Sequence, residues 1–155
     1  MSAPSTFVIK AVETDQERAQ AFEVRRQVFQ QEQGVSAEEE FDQYDDTALH
    51  VVVLAQAGSL GIATARIRVL EDEPKVPKRA KIERMAVLAD YRGLAVGRKL
   101  MEFILEHLIQ QGFREAKLHA QLQARGFYER LGFIAQDQVF EEAGIPHCVM
   151  TRSLK

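Results

Sequence analysis

The segment Ile82-Glu83-Arg84-Met85-Ala86-Val87 is followed, after a short turn, by Tyr91-Arg92-Gly93-Leu94-Ala95-Val96-Gly97-Arg98 and then by a periodic apolar stretch. These residues read as a strand, a tight basic loop and the start of a helix. The chemistry available there is anion binding. First-turn N–H groups of a helix have no intrahelical acceptor and carry the positive end of its dipole, so a phosphate is held without a dedicated side chain. The loop is not a Walker loop, since Gly-Lys-Ser/Thr is missing. Nor is it a dinucleotide fingerprint, since the glycine spacing is wrong and the preceding strand opens no βαβ repeat. A plain strand-to-helix connection with a solvated arginine is the competing reading.

Other chemistry-bearing residues are fewer. His50, His107, His119 and His147 have no short ligand spacing, and a single cysteine, Cys148, excludes both a disulfide framework and a multi-thiolate metal site. No metal is expected. His107 falls on the apolar stripe of the main helix and reads as a packing residue, and Cys148 reads as structural.

The 155 residues, 46% hydrophobic and 28% charged, suffice for one domain with a substantial core, expected over residues 1–155. A formal charge of −3 argues against nucleic acid as the main partner. Residues Met1 to Phe7 lack the pattern of a secretory leader, and no apolar run approaches the roughly 20 residues of a membrane span, so a cytoplasmic setting is expected.

The elements that must position the loop follow from periodicity and caps. Phe7 to Val12 reads as a first strand. Thr14 and Glu17 have capping-box spacing, which starts a helix near Asp15 whose apolar face includes Ala21, Phe22, Val28 and Phe29 and fades near Gly34. Ser36 to Asp46 is acidic and rich in turn formers, and is expected as a solvated loop. His50 to Ala55 and Leu60 to Leu70 read as an antiparallel pair turning at Gly58-Ser59, and Glu71 to Lys78, with Pro74 and Pro77, as a loop before a strand at Lys81 to Leu88. From Gly93, the spacing of Val96, Leu100, Phe103, Ile104, His107 and Leu108 predicts the best helix, ending at Gly112. A strand at Ala116 to Ala120, a short helix from Gln121 to Leu131, and a hairpin of Phe133 to Phe140 with Ile145 to Ser153 complete the chain. The expected class is α/β, a mixed sheet with helices on its faces in the order β-α-β-β-β-α-β-α-β-β.

Met85-Ala86-Val87, the loop, and the later Ala124-Arg125-Gly126-Phe127-Tyr128-Glu129-Arg130-Leu131-Gly132-Phe133 together resemble the GNAT superfamily of acyl-CoA-dependent N-acetyltransferases. The likeness spans about two thirds of the chain. The family's pyrophosphate pattern, Arg/Gln-x-x-Gly-x-Gly/Ala, is matched by Arg92, Ala95 and Gly97, with Ala95 in place of the first motif glycine. Its methyl calls for a backbone conformation that an L-residue adopts. The resemblance implies that Met85, Ala86 and Val87 pair with the pantetheine arm of acetyl-CoA much as a strand would, and that N–H groups from Gly93, Leu94, Ala95, Val96, Gly97 and Arg98 hold the pyrophosphate. It also implies that Tyr128 protonates the departing thiolate, the competing reading being a core aromatic like Phe127. Glu83, on the face of Met85 and Val87 by two-residue alternation, is the expected base, the alternative being an ordinary ion pair with a neighbouring strand.

Phe29-Gln30-Gln31-Glu32-Gln33-Gly34-Val35, Glu40-Phe41-Asp42, Asp45, His50 and Gly144-Ile145-Pro146-His147 are similar to the ElaA-like branch. There they imply an acceptor pocket in which Glu32, Glu40 and Asp42 attract a cationic amine and His50 or His147 accepts its proton. Homodimers are common among such proteins. A non-catalytic acyl-CoA-binding module is the alternative function.

Overall fold

Thr14 accepts a hydrogen bond from the Glu17 N–H while the Glu17 carboxylate accepts from the Thr14 N–H, and this box starts α1 (Asp15–Arg25) where the sequence places it. The computed structural model describes residues 7–55, 57–70 and 78–154. Its elements are β1 (Val8–Ala11), α1, α2 (Ala37–Glu40), β2 (Leu49–Ala55), β3 (Leu60–Leu70), β4 (Arg79–Val87), α3 (Val96–Gln110), β5 (Glu115–Gln121), α4 (Arg125–Glu129), β6 (Ile134–Glu142) and β7 (Ile145–Ser153). They form a seven-strand mixed sheet flanked by helices, with neighbours in the order β1-β2-β3-β4-β5-β7-β6. Among the described residues no helix is long and apolar enough to cross a membrane. The predicted loop at 71–77 lies outside them.

The chain divides into two compact units. The first contains Met1–Ile67 and Arg84–Ile104. There β1, β2 and β3 pair antiparallel, Val8 opposite Leu54 and Val51 opposite Ala65. Ala21, Val52 and Leu54 pack with Val12 and Phe22, and Val24, Val28 and Ala86 with Phe29 and Leu88. Gly61 lets α1 lie directly on β3. A Cβ at Gly61 would come within 2.9 Å of Gln20 Cβ, and the Gly61 N–H donates to Gln20 Oε1 at 2.8 Å.

The second unit contains Arg68–Glu83 and Leu105–Lys155. β4 runs parallel to β5 from Arg79/Glu115 to Ile82/Leu118, β5 pairs antiparallel with β7, and β7 with β6. Leu105, Leu108, Phe113, Ala116, Leu118, Phe133, Cys148, Met150 and Leu154 are buried there.

Three local expectations are corrected. The first helix does not stay α-helical to Gly34: residues Arg26–Glu32 form a π-helical segment, closed by the Gln33 N–H on the Val28 carbonyl at 3.1 Å. The acidic segment is not an irregular solvated loop. Ser36 caps α2, and Asp42 caps a 3₁₀ turn over Gln43–Asp46. The helix expected from Gln121 to Leu131 is a 3₁₀ turn, Leu122–Ala124, followed by the short α4.

Candidate active site

In the first unit, the polypeptide leaves β4 through a 3₁₀ turn at Ala89–Tyr91 and reaches α3 through residues 92–95. Gly93 has φ +81° and Ala95 φ +62°. The expectation of an ordinary backbone at Ala95 is therefore corrected. Its methyl sits in the left-handed region, which costs an L-residue about 1–2 kcal/mol relative to glycine. The first α3 bond from outside the helix is the Lys99 N–H to the Ala95 carbonyl at 3.0 Å, which leaves the N–H groups of Val96, Gly97 and Arg98 ahead of it. Alanine at position 95 has no side chain to cap them. Leu94 and Arg98 are exposed, and Val96 anchors the turn in the core.

The guanidinium of Arg92 donates to both oxygens of Glu32, at 2.6 and 2.7 Å, and its Nε donates to the Val87 carbonyl at 2.9 Å. This hydrogen-bonded arginine holds the Glu32 carboxyl below its usual range, against a smaller opposing effect of burial. Glu32, expected beside the acceptor amine, is thus placed against the anion loop instead. On β4, Ala86 is buried against Val24 and Val28, while Met85 and Val87 are half-buried.

The alternation argument for Glu83 meets an obstacle at Arg84, whose φ is +54°. A left-handed residue interrupts strand geometry, so the two-residue rule does not carry from Glu83 across to Met85 and Val87. Within the second unit, Glu83 accepts from Arg68 Nε at 2.7 Å and from a terminal Arg68 nitrogen at 3.0 Å, and lies 3.0 Å from Lys81 Nζ. Its carboxylate is gripped by two cations.

The acidic residues of the first unit are turned inward. Arg25, 1% exposed, donates from Nε to Glu40 at 2.8 Å, from Nη1 to Asp45 at 2.7 Å and from Nη2 to the Glu40 carbonyl at 2.8 Å, and lies near the rings of Phe22 and Phe41. Arg66, equally buried, donates to Asp42 at 2.6 Å and to Asp45 at 3.0 Å, while Arg84 reaches Asp42 at 3.2 Å and the Glu40 carbonyl at 3.0 Å. Burial pushes the Asp45 carboxyl up, but bonds from Arg25, the Asp42 N–H and Arg66 outweigh it and bring it down to about 2. For the more deeply enclosed Glu40, burial wins over Arg84 and Arg25 and the carboxyl is raised.

His50 lies in the same cluster, its Nε2 2.9 Å from the Asp45 carbonyl, and burial lowers its pKa. A neutral imidazole donating to that carbonyl satisfies the geometry. The structure therefore gathers Glu40, Asp42 and His50 around arginines rather than in an open anionic pocket. Sequence reasoning missed Arg25, Arg66 and Arg84. The signal was present: Arg25 follows Ala21 by four residues on the apolar face of α1, and Arg66 stands in the β-branched and small-residue run of β3, where a cation needs a partner.

In the second unit, Tyr128 on α4 is 8% exposed and packs edge-on against Phe127 and Phe133. Burial pushes its phenol well above the usual value, so it stays protonated at neutral pH. Its hydroxyl has no hydrogen-bond partner among the described residues. His147 is 7% exposed, with Nδ1 2.6 Å from the Ile145 carbonyl and its ring stacked on Phe140. Among the described residues no group of three or more His, Cys, Asp or Glu is placed to hold a metal ion.

A mixed sheet in this order joins β4 to α3 through a left-handed turn, and among the described residues no side chain caps the first N–H groups of α3. The chain matches the acetyltransferase (GNAT) domain over residues 11–154, and it belongs to that family. It is 36% identical over 149 residues to the uncharacterized protein YyaT of Bacillus subtilis strain 168, covering 94% of this chain and 95% of that protein. A solved protein from Lactobacillus plantarum superposes with a TM-score of 0.87 at 30% identity, over 97% of this chain and all (100%) of that one. ElaA of Escherichia coli follows with a TM-score of 0.80 at 26% identity, over 95% and 99%. GNAT-fold acetyltransferases use acyl-CoA donors and amine acceptors.

Proposed function

We propose that this chain, acting as one domain, transfers the acetyl group of acetyl-CoA to a primary amine by direct attack on the thioester. The observation that carries the reading is the start of α3. Three N–H groups stand ahead of the first helical bond behind a left-handed turn at Gly93 and Ala95, and among the described residues no side chain caps them. A pyrophosphate suits such a cradle because the backbone supplies both donors and dipole. Residues Gly93 to Arg98 would hold it, with Arg92 exchanging Glu32 for a phosphate, and Met85, Ala86 and Val87 would border the pantetheine arm.

In the reaction the amine nitrogen forms a C–N bond to the acetyl carbon, the C–S bond breaks, nitrogen loses a proton and sulfur gains one. Tyr128 is our donor to sulfur. It is neutral, and its hydroxyl is not committed to another acceptor. Because Glu40 and Asp42 are neutralised by arginines, we do not assign them the selection of a cationic acceptor.

Glu83, clamped by Arg68 and Lys81, favours a second reading in which the chain binds acyl-CoA without turnover. Thiol release from acetyl-CoA, corrected for hydrolysis and measured with glucosamine, spermidine and a lysine tripeptide, separates the two. Amine-dependent release that falls about 10²-fold or more in Tyr128→Phe is expected. Binding without amine-dependent release, unchanged in Tyr128→Phe, supports the module.

A further inference from the structure

Glu83 was the expected base, but its carboxylate is fully engaged, so the proton on the attacking amine needs another acceptor. The parallel β4–β5 pairing ends at Ile82/Leu118, and the next residues in that register are Glu83 and His119. His119 is half-buried, its side chain 19% exposed. Its Nδ1 lies 2.7 Å from Glu142 Oε1, and its ring meets Phe140 edge-on at 5.0 Å. A carboxylate only accepts, so this contact places a proton on Nδ1 and leaves Nε2 as the nitrogen free to meet a substrate. Nε2 has no hydrogen-bond partner among the described residues. Phe140 fixes the ring from the side, and it is itself stacked on His147 at 6.1 Å.

We propose that His119, oriented by Glu142, is the base that takes the proton from the amine in the transfer reaction. The inference rests on the acetyltransferase reading above. Nε2 takes one proton from the ammonium, and the freed lone pair forms the C–N bond. As the C–S bond breaks, sulfur receives the Tyr128 proton. The tyrosinate regains a proton from the acylated nitrogen through solvent, and the imidazolium releases its own to solvent.

The charges around the dyad support this division of labour. Glu142 is kept ionised first by the His119 hydrogen bond, with weaker help from His147 and Lys81. Lys81 also pairs with Glu83, which ties the two carboxylates of this face to separate tasks. Glu142 steadies an imidazolium, whereas Glu83 balances Arg68 and Lys81. A carboxylate behind a histidine that faces outward through its other nitrogen is a recurrent arrangement for general bases.

The test is the pH profile of amine-dependent thiol release from acetyl-CoA with spermidine, glucosamine and the lysine tripeptide, alongside coenzyme A affinity and melting temperature. His119→Gln keeps an amide able to bond Glu142. It should lower kcat about 10²-fold or more, abolish the acidic limb of the profile and leave coenzyme A affinity within twofold. Glu142→Gln should also lower kcat, because the ring loses the carboxylate that fixes its orientation, and should leave coenzyme A affinity within twofold. Imidazole added to His119→Ala should restore part of the rate.

Nitrogen chemical shifts of the imidazole give a readout independent of turnover, and the Nδ1–H tautomer is expected. An unchanged acidic limb in His119→Gln, disappearance of the limb in Glu83→Gln instead, or an Nε2–H tautomer would each overturn the assignment. A wild-type protein that binds coenzyme A but releases no thiol with any of the three amines would instead overturn the transfer reading itself, and this assignment with it.

Discussion

The loop at 92–98 and the acidic segment at 36–46 lie in the same unit, and both look from the sequence like places to meet a charged ligand. They use charge in opposite ways. The loop offers backbone N–H groups with no partner among the described residues and accepts strain at Ala95 to present them. The acidic segment spends its carboxylates on Arg25, Arg66 and Arg84, two of which are 1% exposed. Unsatisfied polar groups at a helix start invite a ligand, whereas paired charges in a core fix a local structure. A charge-rich sequence does not by itself say which of these applies.

Breaking the cluster should have the largest effect on stability. Arg25→Ala leaves Glu40 and Asp45 without their main partner, a loss of about 3–5 kcal/mol in urea unfolding. A loss below about 1 kcal/mol would mean that the cluster is not structural. Acid is the next lever. Asp45 is held at about 2 against ~3.9 in an unfolded chain. Its ionised form therefore contributes about 2 kcal/mol above pH ~4, and this is lost as pH falls toward 2. Glu40 runs the other way: its raised pKa means that protonation on acidification relieves a cost. Comparing unfolding at pH 5 and pH 2 should therefore give a smaller loss in Asp45→Asn than in the wild type.

On the loop side the expected stability effects are small. Ala95→Gly relieves the left-handed alanine but gains unfolded-state freedom, for a net stabilisation of about 0.5–1 kcal/mol. Arg92→Ala removes an exposed ion pair and should change stability by less than about 1 kcal/mol. If the backbone carries most of the recognition, it should also weaken coenzyme A binding by less than about tenfold, as measured by calorimetry.

The legible parts of the molecule were those set by local rules. The capping box at Thr14, the hairpin of Leu60 to Leu70 with the strand before it, and the closing hairpin through Gly144 all appear where spacing placed them. The order of elements followed from periodicity and caps, and the family from motifs separated by some thirty residues. What was not legible depended on contacts distant in sequence or on single backbone angles. Arg25 meets Asp45 across 20 residues and Arg92 meets Glu32 across 60, and no periodicity encodes either pair. Arg84 and Ala95 adopt positive φ that their residue types do not announce. His119 had no role from the sequence because Glu142, 23 residues away, gives it one.

The most direct test of the loop assignment is calorimetric titration of coenzyme A into the wild type and Gly97→Glu. In the first turn of α3, glutamate has better helix propensity than glycine and suits the positive end of the dipole, so the fold should be kept and its melting temperature should not fall. The same carboxylate would occupy and repel the phosphate site. The account predicts at least a hundredfold loss of affinity, about 2.7 kcal/mol, at an undiminished melting temperature. Equal affinity in the two proteins would contradict it.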